Sequence, residues 1–441
     1  MKSDRVHPVA IVGGGFSGTM VAAQLARKGI DSVLIDGSGR AGHGVAYSTR
    51  EPAHVLNVRA EVMSAWADDL DHFVRVAERE GGNRRDFVQR QQFGRYLRGI
   101  LKDGVNTGHL RLAEQQAIEA KPIDGGWTVR LADGEEFEAG GLVLAIGNQP
   151  PEPLPFGKGS SRVINNPWGS EALAAVEDLA ESHEDALLVG TGLTMVDAVL
   201  SLDAAGHRGR IVGLSRRGLI PRGHTDDFVP ATFEADEVPL GHVGILWKWL
   251  RKRGAEVGWR SAVDGMRPHS HRVWQSLPLE QKTRFARHAR PWWDTHRHRI
   301  APEVARQLHD MIAEGRLEIV AGRIQSVQEK DGALTVSYRR RGTSCIGEGR
   351  FAYMINCTGP LGTISRTRDP MLKGMLADGL ARPDELGIAL VVDERSRVTG
   401  AMRAWAMGPL TKGRYWEIIA VPDIRDQAAA VADDIQMELG R

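Results

Sequence analysis

Glycines 13, 15 and 18 stand in G-x-G-x-x-G spacing within "AIVGGGFSGTMVAAQLARKG", between a β-rich apolar run and a run with helical apolar spacing. That spacing lets a backbone turn tightly against a pyrophosphate. The helix opening with Phe16 and Ser17 then offers N–H groups and the positive end of its dipole. Asp36 closes the next apolar run, "DSVLID", roughly twenty residues on, where a carboxylate accepts hydrogen bonds from an adenosine ribose. Strand, turn, helix, strand and acid agree on one chemistry, the binding of a dinucleotide.

A second turn, "LVGTGLTMVD", has Gly190 and Gly192 after an apolar run, with Leu193 and Thr194 opening the helix. Met195 takes the place of the third glycine, which serves mainly close packing of helix on strand. The following strand, "RIVGLSRRG", ends in Ser215, Arg216 and Arg217 where the first copy ended in an acid. Two guanidiniums and a hydroxyl suit a ribose 2′-phosphate, so this copy predicts NADPH rather than NADH.

The elements that position these turns are also duplicated. Residues 109–150 and 315–360 share one order: strands, an Asp-Gly turn, more strand, then an apolar strand closing in Gly147 or Gly359. The expected fold is α/β, with two Rossmann-like dinucleotide-binding domains, each carrying an antiparallel β-meander. Duplication explains the two turns: one site holds a resident flavin and the other admits its reductant.

Composition sets the remaining bounds. A chain of 441 residues exceeds what one core organises, so two or three domains are expected. Lys and Arg number 57 against 56 Asp and Glu, which leaves no global field for nucleic acid or an anionic membrane and favours small-molecule partners. The two cysteines, Cys345 and Cys357, form neither a disulfide framework nor a CxxC pair. With no signal peptide and no apolar run of about 20 residues, a soluble cytoplasmic protein is expected. Residues 219–314 hold Trp247, Trp249, Trp259, Trp274, Trp292 and Trp293, with His269, His271, His288, His296 and His298 among many arginines. No compact set of Cys or carboxylate companions accompanies these histidines, so no metal site is expected. The stretch reads as a helical subdomain with a tryptophan core, a lid over the nicotinamide and substrate, or both.

Four stretches carry a family resemblance: "GHGVAYSTREPAHVLNVRAEVMSAW", "GTGLTMVDAVLSL", "LSRRGLIPR" and "GPLTKGRYWEIIAVPDIRDQA". With them the chain resembles the two-dinucleotide-binding-domain flavoproteins, which include class B flavin monooxygenases and pyridine-nucleotide reductases. Within that group it resembles the bacterial FAD/NAD(P)-binding family of the YdhS type. The resemblance implies a split FAD domain, residues 1–160 and 351–441, around an NAD(P)H domain, 161–350, that includes the helical insertion 219–314. It implies that Gly44, Val45 and Asn57 run along the flavin, Asn57 either touching the isoalloxazine edge or capping a turn. It places Gly147 and Gly359 in the ATG-like linkers and Gly408 near the ribityl chain, although Pro409 follows where many relatives have an acid. A helix entered through Pro422 would aim its positive end at the flavin O2 side.

The implied reaction is hydride transfer from NADPH to FAD. Two fates of the electrons are weighed, with oxygen favoured. The first is oxygen, through a C4a-(hydro)peroxyflavin that hydroxylates an amine, sulfur or carbon centre of a small molecule. The second is a small or protein acceptor without oxygen insertion. A nucleotide-binding redox sensor without turnover is a third reading, from another class. The missing CxxC disfavours a disulfide reductase. The Baeyer-Villiger fingerprint F-x-G-x-x-x-H-x-x-x-W is not met, because "PFGKGSSRVINNPW" offers Phe156 and Trp168 but no histidine. No residue is identified as a catalytic acid or base.

Overall fold

The computed structural model describes residues 8–226 and 228–440. The chain opens with β1 (Val9–Val12), α1 (Phe16–Arg27), β2 (Ser32–Ile35), the short α2 (Gly44–Tyr47), α3 (His72–Arg79) and α4 (Arg90–Asn106). There follow β3 (Leu110–Ala113), β4 (Ala117–Ile123), β5 (Gly126–Leu131), β6 (Glu136–Ala139) and β7 (Gly141–Leu144). β1, β2 and β7 are buried along their whole length, as strands of a parallel sheet covered on both faces must be. The antiparallel meander β4-β5-β6 lies against one face of this sheet, and α1 and α4 cover the other. Val12 pairs with both Ile35 and Leu144, so Gly13, Asp36 and Ala145 emerge together at the carboxyl edge, where open α/β sheets bind ligands.

The second unit repeats the plan. It runs through β8 (Val163–Ile164), α5 (Ser170–Ser182), β9 (Ala186–Val189), α6 (Leu193–Ala204) and β10 (Ile211–Ser215). An insertion follows: α7 (Val243–Val257), α8 (Trp259–Gly265), α9 (Ser270–Ser276), α10 (Leu279–Arg284), a π-turn and α11 (Arg290–Arg297). α12 (Pro302–Ala313), β11 (Leu317–Lys330), β12 (Ala333–Arg340), β13 (Ile346–Phe351) and β14 (Tyr353–Asn356) complete the unit. β11 starts parallel to β10 and continues antiparallel to β12, so the equivalents of β3 and β4 are here one strand.

The sheet order is β13-β12-β11-β10-β9-β14-β8. The expected return to the first domain at residue 351 therefore falls one strand early. β14 pairs in parallel with β9 and β8, and the chain leaves only after Asn356. It then forms α13 (Pro370–Ala377), β15 (Ala404–Ala406), which adds to the first sheet beside β7, and α14 (Val421–Glu438), which packs on α1.

The insertion has its own small core around Phe233, Trp249, Ala262, Met266 and Val273. It also leans on the last part of the chain. Trp274 lies 4.7 Å from Trp416 between ring centroids, and its Nε1–H donates to the Gly413 carbonyl at 2.8 Å. Among the described residues no helix is long and apolar enough to cross a membrane.

Candidate dinucleotide sites

The glycines of the first turn answer to different demands. A Cβ on Gly13, whose φ is +105°, would lie 2.4 Å from the Ala145 carbonyl oxygen, and one on Gly18 would lie 1.9 Å from the Gly13 oxygen. Gly13 is glycine because the end of β7 passes against it, and Gly18 because α1 presses on the Gly13 carbonyl. Gly14, which spacing alone did not single out, donates its N–H to Asp36 Oδ2 at 2.7 Å. Ser38 N–H donates to Asp36 Oδ1 at 2.7 Å, so the carboxylate is fixed at the sheet edge with acceptor capacity left over. Gly15 is unlike the others: its backbone is extended, and a Cβ would meet only Gly44 Cα at 3.6 Å. Nothing in the protein's own packing demands glycine there, whereas a pyrophosphate approaching the start of α1 does. That helix has no side-chain cap, so its first N–H groups are left for such a ligand. Phe16 and Ser17 offer only backbone, since both side chains are buried. The residues present fit a dinucleotide.

α2 crosses this turn, with Gly44 at φ +59° against Gly15 and Val45 exposed. Asn57 caps no turn: its side-chain amide has no hydrogen-bond partner among the described residues, while its carbonyl accepts from His224 Nε2 at 2.9 Å. Gly147 (φ +65°) and Gly359 (φ +92°) sit at the two crossings, each with open space on its Cβ side. Gly408 (φ +56°) lies over Ser17, and its N–H donates to Gln427 Oε1 at 2.8 Å.

The second turn copies the first. A Cβ on Gly190 (φ +109°) would lie 2.3 Å from the Cys357 oxygen, as Gly13 meets Ala145, while a Cβ on Gly192 would meet nothing within 4 Å. Leu193 and Thr194 are partly exposed at the uncapped start of α6. Met195 is fully buried, and the room it needs comes from the strand side, where a Cβ on Gly213 would come within 3.8 Å of its Cγ.

Ser215 stands at the end of β10. Its hydroxyl is engaged inside the turn, 2.8 Å from Thr191 Oγ1 and accepting from Gly218 N–H at 3.0 Å, because the chain bends sharply at this point. The arginines remain available. Arg216 is exposed and Arg217 partly so, and neither has an ion-pair or hydrogen-bond partner through its guanidinium among the described residues. Arg341, which the sequence reading missed, joins them from the turn after β12. Burial, then Arg216 and Arg341, push the Arg217 guanidinium below its usual range. Arg216 and Arg341 lie close enough to act on the Arg217 charge, and among the described residues none of the three guanidiniums has an ion-pair partner.

The two units are bolted together by residues that no local pattern revealed. Arg90, at the start of α4, grips Asp197 of α6 with both guanidinium ends, at 2.7 and 2.8 Å, and its Nε–H donates to the Val55 carbonyl at 3.0 Å. His54 reaches the Asp197 carbonyl at 2.9 Å and Ser201 Oγ at 3.1 Å. The Asn57–His224 contact closes the wall between the sites. Burial and then the Arg299 cation push the His224 imidazole down to about 4, so it stays neutral near pH 7. Among the described residues no group of His, Cys, Asp and Glu side chains is arranged to hold a metal.

Two glycine cradles at the carboxyl edges of two mainly parallel sheets give the chain two Rossmann-like dinucleotide-binding units. A family profile described as FAD-NAD(P)-binding matches residues 10–149, the region of the first cradle. A Baeyer-Villiger monooxygenase, ATR8 of Stachybotrys chlorohalonatus, is 26% identical over 209 residues. That match covers 44% of this chain and 31% of the relative, so the chain spans about a third of that protein's length. The solved structure of L-lysine 6-monooxygenase from Pseudomonas syringae superposes with a TM-score of 0.68 at 15% identity, covering 98% of this chain and 99% of that one. Bacillithiol disulfide reductase Bdr from Staphylococcus aureus superposes at 0.59 and 14% identity, with 98% of each chain covered. At these identities the likeness is one of fold.

Proposed function

We propose that the protein is an FAD-dependent NAD(P)H oxidoreductase working as a monooxygenase, with NADPH as reductant and molecular oxygen and a small molecule as the other reactants. The observation that carries this reading is the pair of cradles sharing one wall. The first has an acid at its edge for a ribose, and the second has Arg216, Arg217 and Arg341 for a 2′-phosphate. FAD bound in the first supplies hydride acceptance and oxygen chemistry. The chain's part is to hold and to exclude. The starts of α1 and α6 receive pyrophosphates, the Asn57 amide is available to the flavin edge, and the insertion screens the junction from water.

Oxygen is the favoured acceptor because no dithiol stands ready: Cys345 is exposed and Cys357 is buried, with burial pushing its thiol well above the usual range. The missing fingerprint histidine weighs against lactone formation, leaving hydroxylation of an amine, sulfur or carbon centre.

The test is to reduce the FAD-loaded protein anaerobically with NADPH and then mix it with oxygenated buffer in a stopped-flow spectrometer. An oxygen-dependent absorbing species that outlives mixing before oxidised flavin returns, together with isotopic oxygen appearing in an amine or thioether product, supports the proposal. Acceptor-dependent turnover with no oxygenated product would replace it with a reductase. No flavin reduction by NADPH would leave a sensor.

A further inference from the structure

A cavity of about 400 Å³ opens where the insertion meets the returning part of the first unit. Lys282 of α10 lines it from one side and Arg414, from the segment before α14, from the other. Leu386, Leu390 and Val392 give it an apolar wall. Backbone bonds fix that wall: Asp384 Oδ1 accepts from the N–H groups of Ile388 and Ala389 at 2.7 and 3.0 Å, and Leu390 N–H donates to the Leu410 carbonyl at 2.8 Å. The insertion is tied to the same place, because Trp274 Nε1–H donates to the Gly413 carbonyl. Both sides are therefore in position before any ligand enters.

The charges in this cavity do not satisfy one another. The Arg414 guanidinium has no hydrogen bond or ion pair among the described residues, and its Nε is buried without a partner. The Lys282 ammonium also lacks both, and lies 5.3 Å from the centre of the Trp274 ring. Two acids line the cavity as well, yet neither pairs with these cations. Asp384 is engaged by the loop, with Oδ1 on two backbone N–H groups and Oδ2 packed on Gly413, where a Cβ would come within 2.4 Å of it. Glu385 is exposed to solvent. A buried donor without an acceptor is costly, and an acceptor oxygen on a ligand relieves that cost. The acceptor that matches a guanidinium best is a carboxylate, which takes two parallel bonds from it.

We propose that this cavity binds a small carboxylate with an apolar body, its head on Arg414 and Lys282 and its body on Leu386, Leu390 and Val392. Because Lys282 belongs to the insertion and Arg414 to the first unit, the bound molecule ties the two together. None of the glycines, the acid or the arginines of the two cradles lines the cavity, so its occupancy does not depend on what the cradles hold.

The FAD-loaded protein is titrated with 3-phenylpropionate and, in parallel, with 3-phenylpropan-1-ol and 3-phenylpropylamine, which keep the body and change the head. Trp274, with Lys282 over its ring, and its neighbour Trp416 report by fluorescence. The expected result is saturable binding of the carboxylate, about tenfold tighter than that of the alcohol or the amine. It should weaken about tenfold in Arg414→Met and about threefold in Lys282→Met, where the lost charge is partly exposed. The carboxylate should also raise the melting temperature of the wild type. Should Arg414→Met fold poorly, Lys282→Met decides alone. Equal binding of the three heads, no saturable binding in the wild type, or wild-type affinity in either variant overturns the proposal. So does competitive displacement of the carboxylate by NADPH, which assigns it to a cradle. None of these readings depends on turnover.

Discussion

Breaking the Arg90–Asp197 bridge should both destabilise the protein and slow its reduction. The side chains are only 12% and 7% exposed, so solvent cannot replace a lost partner. In Asp197→Ala the guanidinium keeps one bond, to the Val55 carbonyl, and loses both charge-assisted ones. Removing one partner of a buried pair costs about 3–5 kcal/mol. Asp197→Asn retains one acceptor oxygen and should lose less, about 2 kcal/mol, from one remaining neutral bond and an uncompensated charge. The assay is urea denaturation followed by tryptophan fluorescence, with Arg90→Met, Asp197→Leu and the double variant completing a cycle. The double variant should recover part of the loss, since an apolar pair leaves no buried charge. Because α4 and α6 belong to different units, the same variants should reduce flavin more slowly with NADPH, the nicotinamide being less well aligned. A loss below about 1 kcal/mol for Asp197→Ala, with reduction at the wild-type rate, would refute the view that this bridge sets the placement of the two sites.

Three further outcomes follow from the sites. Gly15→Ala should fold with its stability within about 0.5 kcal/mol of wild type yet retain little FAD, because its Cβ has room in the protein. Gly18→Ala, whose Cβ falls 1.9 Å from the Gly13 oxygen, should melt much earlier; equal behaviour of the two would sink the distinction. Arg217→Ala should cut the preference for NADPH over NADH about tenfold, a contact worth about 1.5 kcal/mol at a partly exposed site. An unchanged ratio of KM values in the Arg216→Ala, Arg217→Ala double variant would remove the 2′-phosphate assignment. His224, held near 4 in the fold against 6.5 ordinarily, binds its proton later than the unfolded chain does. The urea midpoint should therefore fall as pH drops from about 6.5 to about 4, and His224→Gln should flatten that part of the profile. A wild-type profile no steeper than that of the variant would contradict the burial of a neutral imidazole.

What the sequence made legible is what backbone geometry compels locally. Gly13 and Gly190 announce themselves because each must let a strand end pass within contact distance, and Asp36 because the next strand delivers it to the same edge. A hydroxyl carries no such mark: Ser215 reads equally as a phosphate ligand or as a turn residue, and only the positions of Thr191 and Gly218 show that it serves the turn. A boundary at residue 351 leaves β14 outside the second unit, because a four-residue apolar strand fits either sheet; its pairing with β9 and β8 is a non-local choice. Arg90 and Asp197 lie 107 residues apart on helices of different units, so no periodicity links them, although Asp197 sits in plain view inside "GTGLTMVDAVL". The glycine cradles are thus local and readable, whereas the residues that align them are assembled across the fold.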